Sequence, residues 1–277
     1  MQIGRLFAMN QNPQTFGQCL SQWMAVRCLN RKPKTSQFYS ELHAVILREW
    51  PDLSIPADDV TAEWLLAFAT TLAHLCPSRW NSMVSALREI TPHGKLLSRR
   101  PLNSRQFEPP NQQQFAALIA ECDAAPRSKA GLVVRFLSLT GMRISEARAL
   151  RWKHVHADCI QVPGETTKSG KPRAIPLLPG AADVLARLRA LDSGGYVLPR
   201  QSPRKAIENA SRRVFGVAWS FHCFRHLFAT RCIESLVDMP TVARWLGHQD
   251  GGALLARTYF HLVDDHSRTM AARVVIV

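Results

Sequence analysis

One stretch of the chain, Phe221 to His261, reads FHCFRHLFATRCIESLVDMPTVARWLGHQDGGALLARTYFH and holds His222, Arg225, His248 and Tyr259. Upstream lie Arg143, in LTGMRISEARAL, and Lys168, in TTKSGKPRAIPL. These side-chain types suit attack on a phosphodiester. The two non-bridging oxygens share a negative charge and repel nucleophiles. Without a metal, the reaction needs fixed cations on those oxygens, a nucleophile, and an acid for the departing alkoxide. Arginine suits the clamp because its planar fork matches two phosphate oxygens and stays charged. Arg143 and Arg225 are the candidate clamps, and Tyr259, one of three tyrosines, is the candidate nucleophile. A free tyrosine titrates near pH ~10, so its proton must pass to a neighbour or be drawn off by a cationic site. His222 and Arg225, at i and i+3, share one face if the segment is helical.

Five sequence boxes carry a resemblance. Thr140-Gly141-Met142-Arg143-Ile144-Ser145-Glu146 resembles the TG-x-R-x-x-E box of the tyrosine recombinase (phage integrase) family. His222-Cys223-Phe224-Arg225-His226 resembles its H-x-x-R-H box, Leu246-Gly247-His248 its LGH box, and Tyr259-Phe260-His261 its nucleophile segment. Lys168, followed by basic residues and Ile175-Pro176-Leu177, resembles the family's β-hairpin lysine. Each box alone is weak; all of them in family order are specific. The resemblance implies that Arg143 and Arg225 hold a scissile phosphate and that Lys168 protonates the 5′ oxygen. His222 and His248 would bond the phosphate or shuttle the phenol's proton, and Tyr259 would form a 3′-phosphotyrosine. Glu146 would orient the site from behind. His248 and Tyr259 stand eleven residues apart where many members have nine, and Gly251-Gly252 is the expected insertion.

Other readings compete at several positions. Lys171 rivals Lys168 as the hairpin acid. Lys171 and Arg173 read as phosphate contacts or as a solvated hairpin edge, and Arg99 and Arg100 as basic linker contacts to DNA. His222 and His226, at i and i+4, have a zinc-compatible spacing but no third ligand in register, so His226 reads as structural. Trp152 and Trp245 read as core anchors.

These residues need elements to position them. Apolar spacing predicts helices over about 15–29, 35–50 with Thr35 as cap, one opened by Asp58 or Asp59, and 77–90. That is an all-helical first domain, 1–100, resembling the family's core-binding domain only in size, place and helical content. Thr91 to Pro110 lacks periodicity and carries several prolines, so residues 101–110 are expected as linker. The second domain, 111–277, is expected to be mainly helical with a small antiparallel β-sheet. Helices are predicted at about 111–123, 127–140, from 144 or 145, and 179–191. Four more follow at 203–214, 222–236, 239–247 and 253–261, and strands at 159–162 and 173–177 flank the Thr166–Lys171 turn.

Composition bounds the function. The 277 residues carry a formal charge of +14, which favours a polyanionic partner. Residues 1–110 hold 12 basic and 8 acidic side chains and the rest 23 and 13, so the half with the candidate chemistry is the more cationic. Seven scattered cysteines without a CxxC pair argue against a disulfide frame and against a zinc site. Neither a signal peptide nor a long apolar run is evident. The expected function is site-specific DNA recombination in a prokaryotic or phage-encoded cytoplasmic protein, with double-stranded DNA as partner and no metal or cofactor. By the same resemblance, a homotetramer on two duplexes is expected, with the apolar C-terminal tail, ending AARVVIV, exchanged between protomers. A type IB-like topoisomerase and a non-cleaving DNA-binding protein of the same fold are the alternatives.

Overall fold

The computed structural model describes residues 13–102, 107–125, 127, 129–253 and 255–256. The chain divides into two compact units, Met1–Arg105 and Gln106–Val277.

The first unit is helical. Helix α1 (Phe16–Cys28) opens with a reciprocal cap, in which Thr15 accepts from the Gln18 amide and the Gln18 side chain accepts from the Thr15 amide. Helix α2 (Pro33–Glu49) starts two residues before the expected Thr35 cap, with Pro33 in its first turn. Proline's fixed φ and missing N–H fit that position. Asp58 and Asp59 do not cap the third helix either. They lie in a 3-10 turn, and Thr61 caps α3 (Ala62–Thr71) by accepting from the Trp64 amide. Helix α4 (Pro77–Ile90) buries Trp80, Met83, Val84 and Leu87, the stripe its spacing predicts. Phe16 stacked on Trp50 at 3.8 Å, and Trp50 edge-on to Phe68 at 4.6 Å, fill the centre of this core.

Residues 91–100 differ from the expected aperiodic linker. Pro92–Leu96 form a 3-10 turn, and Leu97 is buried in the first unit's core. Arg100 is a brace rather than a free basic side chain. Its guanidinium lies 4.2 Å over Trp80 and donates to the Ala73 and Leu75 carbonyls, while Asn81 bonds its backbone on both sides. Arg99 stays exposed, with one bond to the Ser85 hydroxyl. At the other end of the expected linker, Phe107 packs on Trp219 at 5.2 Å and Pro110 accepts from Arg231, so 107–110 belong with the second unit's core. Aromatic burial holds this segment despite its prolines.

The second unit is built around α6 (Ala130–Thr140), which packs against α5 (Gln112–Asp123), α8 (Ala181–Arg189), α9 (Arg204–Phe215) and α10 (Phe221–Glu234). Its buried Val134, Phe136 and Leu137 join Ile160, Val162 and Phe224 in one core. Strands β1 (Cys159–Val162) and β2 (Arg173–Pro176) pair antiparallel, with Val162 opposite Arg173 and Cys159 opposite Pro176. Short α7 (Ile144–Ala149) precedes the hairpin, and α11 (Met239–Leu246) packs on β2 and α10. A smaller core of Phe228, Ile233, Val242 and Leu246 joins α10 to α11. Of the helix expected at 253–261, Ala253, Leu255 and Ala256 are helical. Tyr259 and the tail lie outside the described residues.

Candidate active site

Chain reversals bring the Thr140–Glu146, His222–His226 and Leu246–His248 boxes together. Helix α6 ends at Gly141, whose φ of +60° lies in the left-handed region. A β-carbon there would sit 2.5 Å from Phe228 Cδ1 and 2.8 Å from Leu246 Cδ2, so only glycine lets α6, α10 and α11 meet this closely. Two residues on, Arg143 is the N-cap of α7, and Glu146 in the first turn reaches back to it. The Glu146 carboxylate accepts from the Arg143 amide at 3.1 Å and its guanidinium at 3.0 Å.

Arg225 lies one turn into α10, on the face that meets α6 and α11. Its side chain is buried and donates to the Gly141 carbonyl at 2.8 Å and the Leu246 carbonyl at 2.6 Å. His222 stands near the helix start, capped by Ser220, with its ring 4.7 Å from that of His226. His226 in turn lies 5.6 Å from the Phe107 ring, which suits the structural part expected of it. Helix α11 closes at Gly247, φ +70°, and the His248 amide donates to the Ala243 carbonyl. This close is of the Schellman type and places the half-buried His248 just beyond the helix. Its Nδ1 is buried and has no hydrogen-bond partner among the described residues.

The charges around the two imidazoles act on both of them. His248 is pulled down to about 4, first by burial, then by Arg225 and, less strongly, Arg143 and Arg173, with Asp250 opposing. His222 is also pulled down to about 4, by the protein mass around it, then by His226, Arg225, Arg143 and His248, although one side of the residue remains open to solvent. Both imidazoles are therefore neutral at pH 7, each with one nitrogen able to accept a proton. Burial pushes Glu146 up, but its bonds to Arg173 and Arg143 outweigh that and hold it below the usual carboxylate range.

The hairpin departs from expectation at Arg173. This residue is no solvated edge or outward phosphate contact: it is buried and binds Glu146 at 2.6 and 3.3 Å and the Trp245 carbonyl at 2.7 Å. Its position opposite Val162 turns it toward the protein, because alternate residues of a strand face opposite sides. Lys168 and Lys171 are both exposed on the turn, which Thr167 ties by donating to Gly164 and lying 3.1 Å from the Lys171 carbonyl. Neither lysine bonds Arg143, Arg225 or His248 among the described residues, so both remain candidates. No cluster of three His, Cys, Asp or Glu that could hold a metal occurs among the described residues.

The phage integrase family matches residues 111–266, more than half of the sequence. The chain belongs to the phage integrase family. The matched region starts at Asn111, the N-cap of α5, and includes every box that forms the cluster. Among its relatives, the tyrosine recombinase XerD of Chlamydia pneumoniae is 28% identical over 198 residues, covering 64% of this chain and 62% of that protein. The tyrosine recombinase XerC of Xanthomonas campestris pv. campestris is 31% identical over 144 residues, 46% of this chain and 42% of that one. This family member thus spans less than two thirds of the length of either. Its fold is similar to that of the Tn1549 transposon integrase in complex with transposon right end DNA, with TM-score 0.73, 17% identity, and coverage of 94% and 99% of the two chains. It is also similar to a lambda integrase tetramer bound to a Holliday junction, with TM-score 0.69, 18% identity, and 90% and 85% coverage. No helix among the described residues is long and apolar enough to cross a membrane.

Proposed function

We propose that this protein is a site-specific DNA recombinase that cuts and rejoins DNA through Tyr259. The observation that carries the reading is the seating of Arg225 and Arg143 beside two imidazoles held neutral by their surroundings. Arg143 and Arg225 hold the non-bridging oxygens of the scissile phosphate. The Tyr259 oxygen bonds to phosphorus, and its proton passes to a neutral His248 or His222. The bond from phosphorus to the 5′ oxygen breaks, and Lys168, or Lys171 in its place, gives that oxygen its proton. The 3′-phosphotyrosine keeps the bond energy, so the reverse attack by a 5′ hydroxyl reseals a strand without ATP or metal.

A nicked duplex whose cut fragment diffuses away tests the reaction, because resealing is then impossible. The wild-type protein is expected to become covalently attached to the DNA and Tyr259→Phe to bind without attaching. Equal trapping of both would remove the assignment.

The same reading gives the protein a second copy as partner. Helices α5, α6, α8 and α10 surround a cavity of about 940 Å³ lined by Phe115, Leu139, Leu178, Leu227 and Trp245. An apolar hollow of this size suits an apolar peptide. The sequence ends in such a segment, AARVVIV, outside the described residues. In the proposed assembly the tail of one protomer fills the hollow of the next and links four active sites around two duplexes. Deleting residues 269–277 should weaken pairing of two sites while leaving single-site binding intact, read by gel mobility. Unchanged pairing would reject the exchange.

A further inference from the structure

Three elements carry proposed catalytic groups, and one buried side chain touches all three. Arg173 begins β2, the strand that returns from the Lys168 turn. Its two terminal nitrogens grip both oxygens of Glu146, at 2.6 and 3.3 Å, and Glu146 holds Arg143 at the start of α7. Its Nε donates 2.7 Å to the Trp245 carbonyl at the end of α11, three residues before His248. The packing leaves no slack. A β-carbon on Gly247 would meet Arg173 Cδ and Nη1 at 3.1 Å, closer than nine in ten real contacts. The side chains of Arg173 and Glu146 are 6% and 1% exposed, so the pair is out of reach of substrate and solvent.

We propose that Arg173 is a positioning residue that fixes the hairpin bearing the leaving-group acid relative to Arg143 and His248. The inference rests on the recombinase reading above and goes beyond it, because Arg173 touches no reacting atom. Three directed donors leave the β2 end of the hairpin one placement against α7 and α11. The Lys168 turn beyond it is exposed, and Gly164–Thr166 at its base lie against α7. Lysine in its place keeps the charge but has a single pivoting nitrogen and cannot hold Glu146 and the Trp245 carbonyl in fixed relation.

The test is dependence on the leaving group. In ordinary DNA the tyrosine–phosphorus bond forms, the bond to the 5′ oxygen breaks, and that oxygen must gain a proton. When sulfur replaces the 5′ bridging oxygen, the group leaves as a thiolate and needs no proton. A correctly placed general acid is worth roughly 10²–10⁴-fold. Arg173→Lys should therefore slow covalent attachment to ordinary nicked DNA by about 10²-fold and recover most of that on the sulfur substrate. Arg143→Lys, which weakens the phosphate clamp itself, should not recover. Alanine replacement of the acid, Lys168 or Lys171, should abolish the effect of Arg173→Lys, because both changes then remove one function.

Equal slowing on both substrates, or full additivity with each lysine replacement, would overturn the inference while leaving the recombinase reading in place. If wild-type protein attaches to neither substrate, the recombinase reading itself fails. Should Arg173→Lys lose its cooperative melt, the same comparison is read on Arg173→Gln, which keeps a directed amide donor near Glu146 without the charge.

Discussion

Glu146 should be costly to lose. It is fully buried, and it balances two arginines, one of them also buried. A buried pair contributes little over an apolar alternative, but deleting one member strands the other charge, at about 3–5 kcal/mol. Glu146→Ala should lower the urea unfolding free energy of the second unit by that amount, and Glu146→Gln, which keeps shape and one acceptor, by less. Equal, small losses would show Arg173 to be hydrated rather than enclosed. The boxes that resemble the family singled out Arg143, Arg225, His222 and His248 as a group, and the second unit carries them at the ends of elements that pack together. Arg173 was misread as an outward basic residue. The sequence shows its charge, but its burial depends on the hairpin register and on the distant carbonyl of Trp245.

Elements were legible where an apolar stripe or a strict breaker defines them. The α4 stripe and the Gly141 stop of α6 follow directly from spacing and from glycine's tolerance of positive φ. Caps were less legible, because competing candidates sit within a few residues of one another. Asp58 and Asp59 are good caps in isolation, yet Ala57 is buried and the local chain forms a 3-10 turn, which leaves Thr61 to begin α3. The segment from Thr91 to Arg100 looked like linker because its order comes from partners distant in sequence. Trp80 donates to the Ser98 carbonyl and Asn81 bonds the Arg100 backbone, and neither tie leaves a periodic trace.

Across the molecule, the protonation of the site should be visible as stability. His222 and His248 fold with values near 4, below the ordinary value of about 6.5. Between these limits the unfolded chain binds more protons than the folded one, so stability rises with pH across that window and levels off above it. Glu146, also lowered, adds stability above the ordinary carboxylate range that disappears as pH falls through its folded value. Both effects run the same way. Thermal melts from pH 4.5 to 8 should climb and then flatten, and His222→Gln with His248→Gln should reduce the slope. His248 should account for more of it, since His222 keeps one side in water. A flat profile in the wild-type protein would contradict the burial described for His248.

Arg225 rests on the carbonyls of Gly141 and Leu246, which are main-chain atoms. Every amino acid supplies that oxygen, so point substitution cannot delete either support. Lineages could therefore exchange much of the surrounding sequence and still inherit the same anchor, provided that the two helix ends stop where they do.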